Sequence, residues 1–274
     1  MHYDVKAIIR QRRSVRTFKK EAVREETLQQ LEAYLQQLDN PFGIPVEFRI
    51  LDAGTYALTS PVLVGESVYV GAKVKHIPQS ELAFGYKFEK FCLYAEAIGL
   101  STVMLASTMD RPAFEKAMEV DKAADEVMML VSPIGYKAEK MSVRETMMRK
   151  SVKGDERIAF EQICFDGSFD NPIDYEQAGI FADAVEMVRL APSAINNQPW
   201  RLVLAGDKVH FYKNIIPQLS GRPLCDIQKV DMGIALAHFE LTMAEQGKVC
   251  RLFIEDPQLA HPEDLEYIAS YVVE

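Results

Sequence analysis

Apolar side chains recur along this chain at two spacings, and the alternation between the two lays out its elements. From Val5 through Ile8 and Ile9 the apolar positions fall at helical spacing, with Asp4 placed to cap the start. The run then turns basic at Arg12, Arg13 and Arg16, as the negative end of a helix dipole prefers. A second helix is predicted over 25–38, with Leu28, Leu31, Leu35 and Leu38 as its apolar stripe and Asp39-Asn40-Pro41 as its stop. Val46–Leu51 alternates like a half-buried strand, and Ser67–Ala72 reads as another. A helix follows from Gly85 to Ile98, with Phe88, Phe91, Cys92 and Ala95 turned inward and Gly99 closing it. Thr102–Leu105 and Val127–Val131 are short apolar runs that fit buried strands.

The second half repeats this order. A helix over 177–190 leads to strands at Arg201–Leu204 and Val209–Tyr212, then to a helix over 232–246 that stops at Gly247. Gly85, Phe91, Leu93 and Gly99 align with Gly233, Phe239, Leu241 and Gly247 at one constant spacing, without a gap. Two equivalent α+β halves are therefore expected, residues 1–165 and 166–274. The turn-rich stretch 166–172 lies within a linker candidate, 157–174, expected to cross the surface rather than enter a core.

Composition narrows the function. At 274 residues, 48% hydrophobic and 26% charged, the chain is an ordinary globular sequence with room for a sizeable core. A formal charge of -9 repels phosphate backbones over most of the surface and argues against nucleic acid as a partner. Cys92, Cys164, Cys225 and Cys250 are widely spaced, with no CxxC pair, and read as reduced structural residues. No segment has the ~20 apolar residues of a membrane span and the start lacks a signal-peptide pattern, so a cytoplasmic location is expected.

Chemistry concentrates in two motifs. Arg12-Arg13-Ser14-Val15-Arg16-Thr17-Phe18 spaces Arg12 and Arg16 by four, so that on a helical turn both point one way with the Ser14 hydroxyl nearby. Guanidinium groups bind phosphate bidentately and stay charged, which makes an anion cradle, although a basic helix end is more often plain solvated surface. The second motif, Leu190-Ala191-Pro192-Ser193-Ala194-Ile195-Asn196-Asn197-Gln198-Pro199-Trp200, joins a helix to a strand. Small residues allow close backbone approach to a planar ligand, and amide side chains offer a polar edge. An ordinary stiffened loop anchored by Trp200 is the competing reading.

Together these motifs resemble the flavin-dependent nitroreductase family, which commonly opens with Arg-Arg-Ser-Ile/Val-Arg-x-Phe and carries an Ala-Pro-Ser-x-x-Asn-x-Gln-Pro-Trp loop. In ordinary members both motifs lie near the N-terminus and FMN sits at the interface of a domain-swapped homodimer, whereas here they fall in different halves. This arrangement is similar to the tandem branch of the family. It implies an α+β, nitroreductase-like fold of two similar α/β halves, with central antiparallel-rich sheets flanked by helices, forming an intramolecular pseudo-dimer. A monomer with one complete site is then expected rather than a homodimer.

Residue by residue, the resemblance implies that Arg12 and Ser14 hold the phosphate and ribityl end of FMN, that Arg16 faces the pyrimidine edge, and that Arg13 belongs with them among the cofactor-binding residues. A cation there stabilises the anionic reduced flavin and tunes its potential. Pro192, Ser193, Ala194, Asn196 and Gln198 would contact the flavin from the other half. Ile134-Gly135-Tyr136 resembles the family's Gly-Tyr turn near flavin N5. Arg157 resembles a C-terminal phosphate contact, but Asp155 stands where a Lys is common, and Lys153 or Arg149 could take that role.

The function so implied is an FMN-dependent NAD(P)H oxidoreductase. It would reduce electron-poor small molecules such as nitroaromatics or quinones by ping-pong hydride transfer, with the flavin rather than a side-chain dyad doing the chemistry. The alternative is a non-catalytic flavin-binding or flavin-sensing protein, or a scaffold without flavin. No HExxH, GxGxxG, GxxxxGK[ST] or GxSxG occurs. His2, His76, His210, His238 and His261 lack metal-ligand spacing, and His238 reads as a packing residue.

Overall fold

A computed structural model describes residues 3–217, 219 and 225–274; His2 lies outside them. The elements run α1 (Val5–Gln11), α2 (Glu25–Gln37), β1 (Val46–Asp52), α3 (Ala53–Tyr56), β2 (Val68–Lys75), α4 (Ser80–Ala97), β3 (Ser101–Thr102) and α5 (Arg111–Ala117). They continue β4 (Glu126–Val127), β5 (Val131–Gly135), α6 (Val143–Ser151), β6 (Cys164–Asp166), α7 (Ala182–Leu190), β7 (Trp200–Ala205), β8 (Lys208–Asn214), α8 (Ile227–Glu245), β9 (Cys250–Phe253) and β10 (Leu265–Val273). Two compact units result, residues 11–154 and residues 155–274 with 1–10.

In the first unit the sheet order is β1-β2-β5-β3, all antiparallel, with β4 beside β2. Its central helix, α4, is buried on nearly every face, which explains why its sequence shows little amphipathic periodicity. It begins at Ser80 rather than Gly85, because the turn Ser80–Phe84 is itself buried. It closes as the sequence predicts. Gly99 adopts φ +85, its N–H meets Glu96 O at 3.0 Å, and Leu100 N–H reaches Ala95 O at 2.8 Å.

The second unit repeats this plan. The antiparallel path β7-β8-β10-β9 follows the order of β1-β2-β5-β3, and the buried helix α8 sits in sequence between β8 and β9 as α4 does between β2 and β3. Gly247 ends α8 at φ +76, so the aligned glycines do the same backbone work in both units. Here too the helix starts ahead of its expected position, at Ile227 rather than Met232. The helix expected from Gln177 first forms a 3-10 turn at Gly179–Phe181 and becomes α-helical at Ala182.

The stretch 157–174 departs from its surface reading. Ile163 and Cys164 are fully buried, Phe160 and Ile173 nearly so, and β6 pairs parallel with β7 at the edge of the second sheet. Burying a large aliphatic side chain stabilises by about 1.5–3 kcal/mol, which outweighs the turn signals that flank this short strand. The expected division at 165/166 would cut this chain segment inside β6. Residues 155–165 instead cluster with the second unit.

Between α1 and α2 the chain is extended. Val15 N–H bonds Thr102 O, Val64 N–H bonds Arg16 O, Phe18 N–H bonds Val64 O, and Lys19 N–H bonds Tyr136 O, at 2.8–3.0 Å. Gly65 makes this pairing possible, since at φ +86 a Cβ there would collide with the Phe18 carbonyl. Gly65→Ala is expected to cost about 1–3 kcal/mol and lower the chemical-denaturation midpoint without changing its slope. A midpoint equal to wild type would mean that the turn is not held in this conformation.

Candidate functional site

Within the first unit the arginine motif is fixed by the strand-like run just described. α1 ends at Gln11, so Arg12 and Arg16 do not share a helical face, a departure caused by the backbone bonds to Thr102 and Val64. Arg13 is exposed, and Arg12 is drawn inward: its side chain is only 6% exposed, with Nε 3.7 Å from a Glu89 carboxylate oxygen. Arg16 is partly buried. Desolvation lowers its pKa, the neighbouring Glu145 works to raise it, and Arg149 lowers it further. Its Nε is buried and meets no hydrogen-bond partner among the described residues.

The same run gathers other residues of the motif set. Ile134 is buried in β5, and Gly135 lies against Phe18, where a Cβ would come within 3.1 Å of the ring. Phe18 also bridges Lys137, so the arginine run and the Ile134–Tyr136 segment are neighbours. Arg149 Nη1 donates to the Ser14 carbonyl at 3.4 Å, which brings the alternative cation to the same place.

In the second unit the loop after α7 is held in an unusual backbone. Ile195, Asn196 and Gln198 all adopt positive φ, at 46°, 60° and 50°, which side-chain-bearing residues do at a cost and only where surroundings compel it. Those surroundings are visible. Gln198 N–H donates to Ser193 Oγ at 2.9 Å, while Gln198 Oε1 accepts Ile158 N–H at 3.0 Å. Asn196 Nδ2 donates to Glu156 O at 3.0 Å, and its Oδ1 accepts from Arg157 Nη1 at 3.3 Å. Arg157 also donates to the Leu190 carbonyl, so in this structure it ties both ends of the loop. Ser193, Ala194, Asn196, Gln198 and Arg157 thus converge, with Pro192 opening the loop. The Nδ2 of Asn197 is buried without a hydrogen-bond partner among the described residues.

Two carboxylates escaped the sequence reading. Glu145, on α6, is buried and accepts Thr17 Oγ1 at 2.7 Å; its signal was the pattern Ser142-x-x-Glu145 that opens a helix. Asp231, on α8, is also buried, and both its oxygens lie 3.0–3.1 Å from Ala194 N–H. Burial pushes its pKa well above the ordinary carboxylate value, with Asp226 adding to the rise and the Ala194 amide opposing it. No local pattern marks Asp231, because its partner lies in a distant loop. His238 is fully buried with Nδ1 2.8 Å from Met187 O, as expected of a packing residue. Cys92 and Cys164 are buried free thiols, Cys164 pushed up to about 12 by burial.

Two α+β units alike in sheet order, and the family that the chain matches, make it a nitroreductase-like oxidoreductase; the cation segment lies in one unit and the amide-rich loop in the other. The family model described as "Putative TM nitroreductase" matches residues 4–243, and the chain belongs to that family. A "putative nitroreductase" of Thermotoga maritima shares the fold over the full length, covering 100% of this chain and 94% of its own at 19% identity and TM-score 0.64. A structure named "Putative NADH dehydrogenase/NAD(P)H nitroreductase", from Bacteroides thetaiotaomicron, matches at 19% identity and TM-score 0.42, over 52% of this chain and 91% of its own. An FMN- and NADPH-dependent nitroreductase variant from Sphigopyxis sp. matches at 12% identity and TM-score 0.43, over 52% and 92%. No curated protein matches the chain. Among the described residues no helix is long and apolar enough to cross a membrane, and no His, Cys, Asp and Glu group could hold a metal ion.

The buried Asp231 gives a pH prediction. A carboxyl whose folded pKa is raised holds its proton more tightly when folded, so its contribution is full below the unfolded pKa and is lost as pH rises toward the folded one. Asp231→Asn, which keeps an acceptor for Ala194 N–H, should remove that loss. The difference in stability between variant and wild type, measured by urea unfolding, should grow in the variant's favour from mildly acidic pH upward. A pH-independent difference would show that Asp231 is not protonated in the fold.

Proposed function

We propose that this chain is an FMN-dependent NAD(P)H oxidoreductase that reduces electron-poor small molecules, such as nitroaromatics or quinones, in the cytoplasm and as a monomer. The observation that carries the reading is Arg16, a partly buried guanidinium whose Nε has no hydrogen-bond partner among the described residues. A buried donor left unmet costs about 1–3 kcal/mol, which a bound acceptor would recover. Family membership and the two motifs make a flavin the acceptor that fits.

The residues available suit FMN. Arg13 and Ser14 would serve the phosphate and ribityl end, with Arg149, already at the Ser14 carbonyl, as the further cation that Asp155 does not supply. Arg12 would contribute from beside Glu89, which offsets part of its charge. Arg16 would place a permanent positive charge against the pyrimidine edge and favour negative charge there. Pro192, Ser193, Ala194, Asn196 and Gln198 would present a rigid wall of backbone and amide groups, with Arg157 holding that wall in place rather than binding phosphate. Ile134 and Gly135 would supply a backbone edge braced by Phe18. When bound, FMN supplies the hydride chemistry, which is why no side-chain acid or base is required.

The purified protein is expected to be yellow, to release FMN on heating, and to be bleached anaerobically by NADH or NADPH. Arg16→Ala and Asn196→Ala should each weaken FMN binding by roughly tenfold or more, the scale of one lost charge-assisted or buried hydrogen bond. Protein that stays yellow under excess reduced nicotinamide would be a flavin binder without turnover. Colourless protein that gains no flavin absorbance with added FMN would end the flavin reading altogether.

A further inference from the structure

α6 opens on Ser142-Val143-Arg144-Glu145, the spacing of a capping box. In that motif the N-cap hydroxyl takes the N3 amide, and the N3 carboxylate reaches back to the N-cap amide. The first half is present, with Glu145 N–H donating to Ser142 Oγ at 3.1 Å. The second half is interrupted by a side chain from the arginine run. Ser142 N–H donates to Thr17 Oγ1 at 3.0 Å, and Thr17 in turn donates its hydroxyl proton to Glu145 Oε2 at 2.7 Å.

Thr17 is the residue next to Arg16. One turn further along α6, Arg149 reaches the carbonyl of Ser14 on the other side of Arg16. The helix therefore grips the arginine run at both flanks through two side chains, i and i+4 on one face. Glu145 is 2% exposed, and a buried carboxylate persists only where cations and hydrogen bonds compensate it. Arg16 feels the opposing charges of Glu145 and Arg149, the first favouring its charged form and the second disfavouring it.

We propose that Glu145 is a positioning residue for the flavin: through Thr17 it aims Arg16, and its charge offsets one of the two neighbouring guanidinium groups. It thereby limits how strongly this place attracts an anion and how easily bound FMN is reduced. The proposal rests on the reading of Arg16 as a flavin-binding cation. It assigns two separable jobs to one carboxylate, and two substitutions separate them. Glu145→Gln keeps an acceptor for the Thr17 hydroxyl and removes the charge. Thr17→Val removes the hydrogen bonds and keeps the charge.

The two variants should act in opposite directions. Full-length Glu145→Gln should bind FMN roughly three- to tenfold more tightly and raise its midpoint potential, since removing one nearby charge in a partly solvated site acts on that scale. Thr17→Val should bind FMN roughly three- to tenfold more weakly, as expected for a lost buried hydrogen bond, with the potential unmoved. A purely structural role would weaken binding in both. Fluorescence titration of deflavinated protein with FMN and an anaerobic dye-equilibrated potential titration read both quantities. If Glu145→Gln binds FMN no more tightly than wild type, or leaves the potential unchanged, this proposal is overturned while the flavin reading stands. If wild type itself binds no FMN, both fall. Should circular dichroism show Glu145→Gln unfolded, Thr17→Val and Thr17→Ser decide, because only the second keeps the hydroxyl that joins Ser142 N–H to Glu145. Weaker FMN binding in Thr17→Val at an unchanged potential, with wild-type affinity restored in Thr17→Ser, supports the proposal, and any other result overturns it.

Discussion

Between Val15 and Lys19 the backbone spends its hydrogen bonds on separate stretches of the first unit: Thr102, Val64 and Tyr136 with Ala138. That pairing pins Arg16 in an extended conformation, seats Phe18 against Gly135, and delivers Thr17 to the head of α6. Without it, the three arginines Arg12, Arg13 and Arg16 would be a mobile basic surface. With it, one of them is partly buried with a donor still to satisfy. The candidate site is therefore a product of main-chain pairing first and of charged side chains second.

The second unit reaches the same end differently. Its loop after α7 relies largely on side chains: Ser193, Asn196, Gln198 and Arg157 hydrogen-bond to main-chain groups or to one another, and Asp231 takes the Ala194 amide. Three side-chain-bearing residues at positive φ are the cost of that shape. Such strain persists only where the surrounding bonds over-determine it. The loop is thus preorganised before any ligand arrives, which spares the ordering cost that binding would otherwise incur.

Much of this was legible in the order of residues. The glycines that end α4 and α8 and the positions of β1, β2, β7 and β8 came from local periodicity and turn chemistry, which depend on near neighbours along the chain, whereas the order of strands in each sheet did not. Other features were not. The starts of α4 and α8 are buried all round and carry no amphipathic signal, and β6 is three residues long and flanked by turn formers. Glu145 announced a helix start but not its bond to Thr17, and Asp231 announced nothing, because each acts on a residue far away in sequence.

By itself the sequence determined where several helices and strands lie, the aligned glycines of the two halves and the residue types of two motifs, since helix and strand periods, glycine stops and proline turns are properties of short windows. Tertiary structure alone decided that the arginine run is extended rather than helical, that Arg12 faces Glu89 while Arg16 keeps an unmet donor, and that residues 155–165 build onto the second sheet. The physical reason is common to all three. Which partner a buried polar group finds depends on what packing brings beside it, and a linear spacing carries no record of that.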